Sequence, residues 1–401
     1  MKKNIKPWLI VAVCCGLAAS SIGISINSSG VFYSVVADDL GIMRGSFAFH
    51  MTIFTFFTGL AAFVIPPLMK KISYKILLTI SVGLTVVATI AMGYVRSLPI
   101  FYLLGAIRGI TTAMFSLVPL SMIINNWFEK SHGIATSIVF ASSGLAGAIG
   151  STVLSRVIRA TSWQTGYLVA GIMILVLCLP GIIMPFKLDP YDEGKMPYGG
   201  STMKKAAKVV AHEKQHFDFT NSTFIALFVS VLLMAFTTSL AQHFPGYAQT
   251  INLGTIGSLM LSAGMIGNIV FKIIIGLLTD HIGALKSTLC MMLITLTGLC
   301  ILLFVRVPFL MIVGALMFGA CYSVGAVGGP LLTHHFFKDE LYDTIYPPVN
   351  FISNVGAAIA LSAIGYVYDF FKSYQAAFVM IIIFVCIAMT ALFLNRHKSY
   401  R

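Results

Sequence analysis

Charged residues are scarce in this sequence. Asp, Glu, Lys and Arg make up 10% of its 401 residues, against about 25% in soluble domains. Hydrophobic residues supply 58%, and the mean hydropathy is +0.93. This composition excludes an ordinary soluble protein and indicates a chain that crosses a lipid bilayer many times. The net charge of +13 does not indicate nucleic-acid binding, because the basic residues collect in alternate loops, which is a topology signal.

The residue patterns of an enzyme or a metalloprotein are also missing. The seven cysteines lie in apolar runs without a disulfide framework or metal-binding spacing, so we expect buried, inert thiols. No nucleophile–base set occurs in the apolar runs, and therefore no catalysis, metal or cofactor is predicted. All 13 acidic residues fall in polar segments or at the ends of apolar runs. Without a carboxylate at mid-membrane, export of cationic drugs is disfavoured.

Twelve apolar runs are long enough to cross a membrane, at about 20 residues each. They cover roughly residues 8–37, 46–69, 76–95, 99–127, 133–158 and 165–186, then 222–245, 254–278, 285–305, 307–335, 344–368 and 374–394. We therefore predict an all-α membrane protein with two pseudo-symmetric six-helix bundles, residues 1–186 and 220–401. The central loop, 187–219, holds no folded domain, and its part Ser201–Gln215 is either a basic helix on the membrane surface or a solvated linker.

The basic residues sort by side. Eighteen of the 26 lie at the termini, in the central loop and in the loops that share their side. Six lie on the opposite side, namely Arg44, Arg96, Arg156, Arg159, Arg306 and Lys372. Because cytoplasmic loops carry the excess of Lys and Arg, we expect both termini and the central loop in the cytoplasm and the protein in the plasma or inner membrane.

The two halves resemble each other at an offset of about 211 residues, as expected of the internal repeats of transporters. Leu40-Gly41 corresponds to Leu253-Gly254, and Trp163-Gln164 corresponds to Tyr374-Gln375. Repeated halves in a twelve-span protein are typical of a secondary transporter whose site lies between the halves. Because one chain holds both halves, a monomer is expected.

Two cations lie within the predicted spans, one in each half. Lys272 is about 7 residues, or roughly 10 Å of helix, from the polar turn that ends its span, and Arg108 lies in the fourth span. A charge in hydrocarbon costs about 2.5–3.5 kcal/mol on insertion scales and usually faces a partner or a water-filled path. With no acidic partner in the spans, a transported anion is the expected counter-charge. The alternatives are a structural Arg108 bonded to helix carbonyls and a Lys272 that reaches toward the cytoplasm.

The turn Gly276–Lys286, GLLTDHIGALK, resembles the loop signature of the major facilitator superfamily through Asp280, Gly283 and Lys286. The resemblance implies that the aspartate caps a neighbouring helix as part of a gate, which suits the helix dipole. Gly276, Asp280, Gly283 and Lys286 are therefore expected to govern conformation and not to bind substrate. The equivalent first-half loop lacks the aspartate.

A narrower resemblance runs along spans four and five and reaches spans one and eight. Arg108-Gly109, Pro119, Phe128, Lys130, Ala135 and Gly144 follow the pattern of the monocarboxylate transporters and oxalate:formate antiporters, as do Gly30–Tyr33 and the spacing Asn268, Lys272, Gly276. The resemblance implies an alternating-access transporter of small organic anions, by proton symport or anion exchange. Lys272 stands where the family has an arginine, so it keeps the charge but loses the planar fork that grips a carboxylate.

Other departures from the family pattern narrow the class of substrate. Asn27 stands where monocarboxylate transporters have a lysine, and Asn268 where they have an aspartate. The second-half lysine of the oxalate transporters is absent, and Asn350 and Asn354 are the polar residues there. These losses disfavour a dianion and weaken the case for the family's proton coupling. A small monocarboxylate is therefore the favoured substrate, with a coupled proton or counter-anion left open.

The predicted cavity lining, besides the two cations, comprises Asn27, Tyr33, Phe140, Asn268, Tyr322 and Asn350. The histidines, including His50 and His243, are expected at the membrane interfaces. Three alternatives stay open: a carrier of an uncharged, zwitterionic or hydrophobic solute with structural Arg108 and Lys272, a non-transporting membrane sensor, and, least favoured, a membrane enzyme.

Overall fold

The protein is an all-α membrane protein. The computed structural model describes residues 5–130, 132–184, 186–199, 220–337 and 339–396. Within these ranges, eleven helices are long and apolar enough to cross a membrane. The helix Arg44–Lys71 occupies the place of the remaining predicted span. The predicted helix Ser201–Gln215 lies outside the described residues.

Among the described residues, the first half holds eight α-helices, which account for its six predicted spans. They are α1 (Lys6–Ala18), α2 (Gly30–Leu40), α3 (Arg44–Lys71), α4 (Tyr74–Met92), α5 (Leu98–Ala113), α6 (Leu117–Trp127), α7 (His132–Ala160) and α8 (Trp163–Ile183). In the second half, the part that the structure describes holds nine: α9 (Ser222–Thr238), α10 (Phe244–Thr250), α11 (Gly257–Ile282), α12 (Ala284–Phe304), α13 (Pro308–Phe318), α14 (Cys321–Ser323), α15 (Gly329–Phe336), α16 (Asp339–Phe371) and α17 (Gln375–Leu394).

The first, fourth, seventh and tenth spans are interrupted, where we had expected continuous helices. Three of the interruptions are followed by a helix that carries a proline in its first turn. These prolines are Pro119 in α6, Pro245 in α10 and Pro330 in α15. Proline lacks the N–H for an intrahelical bond and is tolerated in the first turn of a helix, so these prolines favour a new helix start after each interruption. The interrupted span is the first one in each group of three spans, in keeping with repeated halves.

The first span has no such proline, and its interruption is a π-helix, Ala19–Asn27. Serine hydroxyls bond the backbone carbonyls of this segment. Ser25 donates to Ser20 O at 3.0 Å, and Ser28 donates to Gly23 O at 3.1 Å. The five-residue offset matches the wider π turn, so the hydroxyls stabilise the carbonyls that a wider turn leaves poorly paired.

Small residues allow close helix crossings. An added Cβ on Gly147 of α7 would lie 2.7 Å from Asn27 Cβ, and one on Gly150 would lie 2.6 Å from Ile24 Cδ1. These two glycines therefore let α7 pack closely against the first span. The expectation that every cysteine is buried is wrong for Cys290 and Cys386, which are exposed.

The chain divides into two compact units. One comprises Met1–Phe32 with Ile53–Val209, and the other comprises Tyr33–Thr52 with Val210–Arg401. The second unit thus includes the end of α2 and the beginning of α3, besides the helices of the second half. The predicted bundles 1–186 and 220–401 stay a prediction.

The described part of the central loop packs on the first unit. Trp127 Nε1 donates to Lys187 O at 3.1 Å, and Tyr198 N donates to Trp127 O at 2.8 Å. Glu193 forms salt bridges with Lys6 and Lys195. Burial alone would raise the pKa of Glu193, but hydrogen bonds from Lys6 and from the backbone of Lys187 outweigh it and lower that pKa. This loop segment therefore ties the start of α1 to the end of α6.

Candidate substrate-binding site

Lys272 and Asn268 lie one turn apart on α11, so their side chains share one face of the helix. Within the described residues, Lys272 has neither a hydrogen bond nor a salt bridge. The thiol of Cys321 in α14 is the titratable group that interacts with it. Asn268 is buried, and its Oδ1 accepts no hydrogen bond from the described residues. The pair presents a cation beside an unsatisfied acceptor, and a buried polar atom of that kind costs free energy until a ligand, water or side chain meets it.

The backbone around this pair is held by a close crossing of α11 with the end of α13. An added Cβ on Gly267 would lie 2.0 Å from Leu316 O. One on Gly319 would lie 2.5 Å from Gly264 O and 2.7 Å from Asn268 N. Because backbone touches backbone here, the position of Asn268 along the helix is fixed by its neighbours.

Tyr322 lies beside Cys321, on the second unit like Lys272. Its hydroxyl donates to Thr238 O at 3.1 Å, so the hydroxyl proton is already used, and the oxygen can still accept. Asn350 of α16 has an exposed side chain, and its backbone carbonyl accepts from Asn354 Nδ2 at 2.9 Å.

Arg108 of α5 is buried in the first unit at 4% exposure. Its Nη1 lies 3.3 Å from Met92 Sδ, and its guanidinium lies 5.5 Å from the centre of the Phe54 ring. The adjacent Gly109 lets α3 approach, since an added Cβ would lie 2.3 Å from Phe54 O. Both of these contacts of Arg108 are with uncharged side chains.

Asn27 and Phe140 also belong to the first unit. Asn27 ends the π-helix, and its Nδ2 donates to Ser143 O of α7 at 3.4 Å. Phe140 lies three residues earlier on α7 and is half-buried. The contact with α7 gives Asn27 a packing role, whatever else it binds.

Tyr33 of α2 packs against two histidines within the second unit. It is 2% exposed, and its ring lies 6.4 Å from the ring of His50 and 5.3 Å from that of His243. Both histidines are buried, at 2% and 1% exposure. Tyr33 therefore belongs to a second cluster of polar residues in the same unit.

The predicted gating turn ends α11. Gly283 has a φ of 83°, which favours glycine, and α12 begins directly after it. Lys286 is exposed, and an added Cβ on Gly276 would meet nothing within 4 Å. The side chain of Asp280 lies outside the described residues.

The second cluster centres on Asp369, near the end of α16. Its Oδ1 accepts from Arg44 N at 3.1 Å, and its Oδ2 accepts from Gly45 N at 2.8 Å. These amides open α3 and have no intrahelical acceptor, so the carboxylate caps the positive end of that helix. We call this pair of hydrogen bonds the Asp369 latch.

The side chain of Arg44 fills the space beside the latch. It donates to both carboxylate oxygens of Asp38, at 3.3 and 3.1 Å, and to Tyr374 OH at 3.4 Å. Its guanidinium lies 4.3 Å from the centre of the Tyr368 ring, which stacks on Tyr374. The arginine thus links α2, α3 and the α16–α17 turn.

Sequence reasoning missed this cluster. It used Arg44 only as a topology signal and placed Asp38 and Asp369 at span ends. The available signal was that these charges fall on one side of the membrane in the predicted topology. That signal does not say which carboxylate meets which helix end.

Comparison with known proteins identifies the family. The Major Facilitator Superfamily matches residues 13–264 and 219–401. The MFS-type transporter pynF of Aspergillus niger is 21% identical over 285 residues, covering 70% of this chain. The match spans 62% of the length of that curated relative.

Solved transporter structures share the fold. A point mutant of the nucleoside transporter NupG superposes with a TM-score of 0.75 at 10% identity, covering 97% of this chain and 99% of its own. A bacterial homologue of the human lysosomal transporter Spinster, inward-facing and unoccupied, gives 0.74 at 13% identity, covering 99% and 98%. At these identities the likeness shows the fold alone. Since the family matches run over nearly the whole sequence, this chain belongs to the Major Facilitator Superfamily.

Proposed function

We propose that this chain is a secondary active transporter of small organic anions, most favourably monocarboxylates, that works by proton symport or anion exchange. The observation that carries the proposal is Lys272, a cation within α11 that has no ion pair or hydrogen bond among the described residues. An anion supplies the missing counter-charge each time it binds and removes it on release. Arg108 is the second cation assigned to substrate.

The number of cations in the spans indicates how many negative charges the anion carries. Two cations without the extra lysine of the oxalate transporters suit a single carboxylate better than a dianion. Asn268 adds an acceptor beside Lys272, so a hydrogen-bond donor on the substrate would be recognised there. We assign Asn27, Tyr33, Phe140, Tyr322 and Asn350 to the lining on the same sequence argument.

Thermal unfolding of the purified full chain with a panel of carboxylates tests the proposal. A ligand at 100 times its Kd adds about 2.7 kcal/mol of apparent stability. We expect one or two monocarboxylates to stabilise the wild type and not Lys272→Ala. Lys272→Arg should keep the effect, because it keeps the charge and restores the fork for a carboxylate. Lys75→Ala removes an exposed lysine of α4 and is the matched control, expected to behave as wild type.

Uptake into liposomes with the stabilising compound then separates the coupling modes. Proton symport requires uptake driven by an imposed pH gradient, whereas anion exchange requires a preloaded anion. Equal stabilisation of wild type and Lys272→Ala by carboxylates would remove the anion site from Lys272.

The runner-up is a carrier of an uncharged, zwitterionic or hydrophobic solute in which both cations are structural. The burial of Arg108 against Met92 and Phe54 favours that role for one of them. A panel of neutral and zwitterionic solutes in the same melting assay decides between the two. Stabilisation by such a solute that persists in Lys272→Ala would favour the runner-up.

We further propose that the chain is a monomer in the plasma or inner membrane, with both termini and the central loop in the cytoplasm. The distribution of Lys and Arg supports this orientation. Epitope tags fused to each terminus of the chain should resist protease added outside intact cells. Cleavage of either tag would place that terminus outside the cytoplasm.

For the turn after α11 we propose a gating role for Asp280, with Gly276, Gly283 and Lys286 setting its shape. Asp280→Asn should slow liposome uptake while leaving carboxylate stabilisation intact. Loss of both would instead place Asp280 in binding or folding.

A further inference from the structure

We propose that His243 is a proton-binding site that controls the Asp369 latch: the latch holds while the imidazole is neutral and opens when it takes up a proton. The proposal concerns a site outside the predicted substrate residues. It does not depend on which solute the chain carries.

The hydrogen bonds of His243 define its protonation state. Its Nε2 lies 2.9 Å from Leu361 O of α16. A carbonyl oxygen only accepts, so Nε2 carries the hydrogen of the neutral ring and Nδ1 bears the lone pair. Nδ1 is buried and has no hydrogen-bond partner among the described residues. The ring therefore offers one open basic atom, which is the atom a proton would take.

The surroundings of the ring disfavour its charged form. Tyr33 and Tyr374 contact it with their rings, at 5.3 and 5.9 Å between centroids. Arg44 donates to Tyr374 OH at 3.4 Å, which places a guanidinium in the same cluster as the ring. Of the two carboxylates in the cluster, Asp38 accepts from Arg44, and Asp369 accepts from the α3 amides. His50 lies on the far side of Tyr33, with its Nδ1 bonded to Phe47 O.

An imidazolium in this place would be buried without an acceptor on Nδ1 and next to a guanidinium. Burying an unpaired charge is costly, and a like charge nearby adds to the cost. Nδ1 is buried beside the rings of Tyr33 and Tyr374, so water reaches it only if this packing loosens. Tyr374 also accepts a hydrogen bond from Arg44 of α3, so loosening it weakens the hold of the α16–α17 turn on α3 and opens the latch.

The latch gives a direct readout through hydrogen exchange. The amides of Arg44 and Gly45 lie in the first turn of α3 and have no intrahelical acceptor. Their protection comes from Asp369. Peptides that contain these two amides are followed by mass spectrometry in the purified full chain, at about pH 7.5 and about pH 5.5, on either side of the ordinary histidine range. Intrinsic exchange rates are divided out at each pH.

We expect the protection of these amides in wild type to fall at the lower pH, by at most about tenfold per pH unit, the limit for one proton. His243→Gln should keep the protection at both pH values, because glutamine can donate to Leu361 O but cannot take the proton. His243→Asn serves the same purpose if the glutamine variant is poorly folded. Asp369→Asn should lose protection at both values and marks the open state.

Two controls separate the other titrating groups. His334→Gln removes an exposed histidine of α15 and should behave as wild type. His50→Gln tests the neighbouring ring and should also keep the wild-type response. The proposal fails if wild-type protection is the same at both pH values. It also fails if His243→Gln and His243→Asn open on acidification as wild type does, because the proton would then bind elsewhere.

Discussion

Two glycines on α11 give opposite predictions for one substitution. Gly267 packs against the carbonyl of Leu316, 2.0 Å from an added Cβ, whereas an added Cβ on Gly276 meets nothing within 4 Å. Both lie inside the same helix and differ in their neighbours. Replacing each by alanine therefore separates the cost of a helix crossing from the gain in helix propensity.

The magnitudes follow from these distances. Ordinary contact begins at 3.4 Å, so Gly267→Ala must move α11 and α13 apart by more than about 1 Å, at an overpacking cost of about 1–3 kcal/mol. The opposing atom is backbone and cannot rotate away, which puts the cost near the upper end. Gly276→Ala carries no such cost and should stabilise the helix by about 0.5–1 kcal/mol.

The assay is thermal unfolding of both purified variants in the same detergent beside wild type. We expect Gly267→Ala to melt below wild type and Gly276→Ala at or above it. Carboxylate stabilisation should also weaken in Gly267→Ala, because the shifted helix carries Asn268 and Lys272. If the two variants melt together, the close crossing of α11 and α13 does not constrain this helix, and the argument for a fixed Asn268 falls with it.

Further predictions concern the first unit. Gly109→Ala should lower the melting midpoint through its clash with Phe54 O, at a cost of about 1–3 kcal/mol, while Gly59→Ala on α3, where an added Cβ is uncrowded, should not. Glu193→Gln should cost less than about 1 kcal/mol at neutral pH. Because the pKa of Glu193 is lowered by Lys6 and its neighbours, its contribution is present above about pH 4.3, the ordinary glutamate value, and is lost as pH falls through the lower folded value. The two proteins should therefore melt alike at the acid end of a pH series.

The membrane fold could be predicted because bilayer crossing is a property of composition and length. A helix of about 20 apolar residues is long enough to cross the hydrocarbon core wherever it occurs in the chain. The breaks in the spans could also have been predicted in part. Pro119, Pro245 and Pro330 each lie in the first turn of a new helix, where proline is tolerated, although Pro180 lies inside the continuous α8. The π-helix of the first span depends on serine hydroxyls, whose effect on helix type the sequence does not show.

The neighbours of the candidate site residues could not be predicted from the sequence in the same way. Hydropathy assigns a residue a depth in the membrane but not a neighbour, so it does not indicate that Tyr33 packs against His50 and His243. The latch joins positions about 325 residues apart, and nothing local in the sequence of Asp369 selects the amides of Arg44 and Gly45 as partners. Such pairings follow from the packed fold.

The two proposed ligands of this chain, an anion at Lys272 and a proton at His243, are linked if both act on the same conformations. An anion that binds the latched form more tightly stabilises neutral His243, and by reciprocity a proton on His243 weakens that anion by the same factor. Its apparent affinity in wild type should then fall on acidification, by no more than about tenfold per pH unit. The fall should disappear in His243→Gln, which leaves Lys272 untouched. An affinity that instead rises on acidification in both proteins would mean that the proton enters with the anion at another group, and that His243 sets the state of the latch without taking part in coupling.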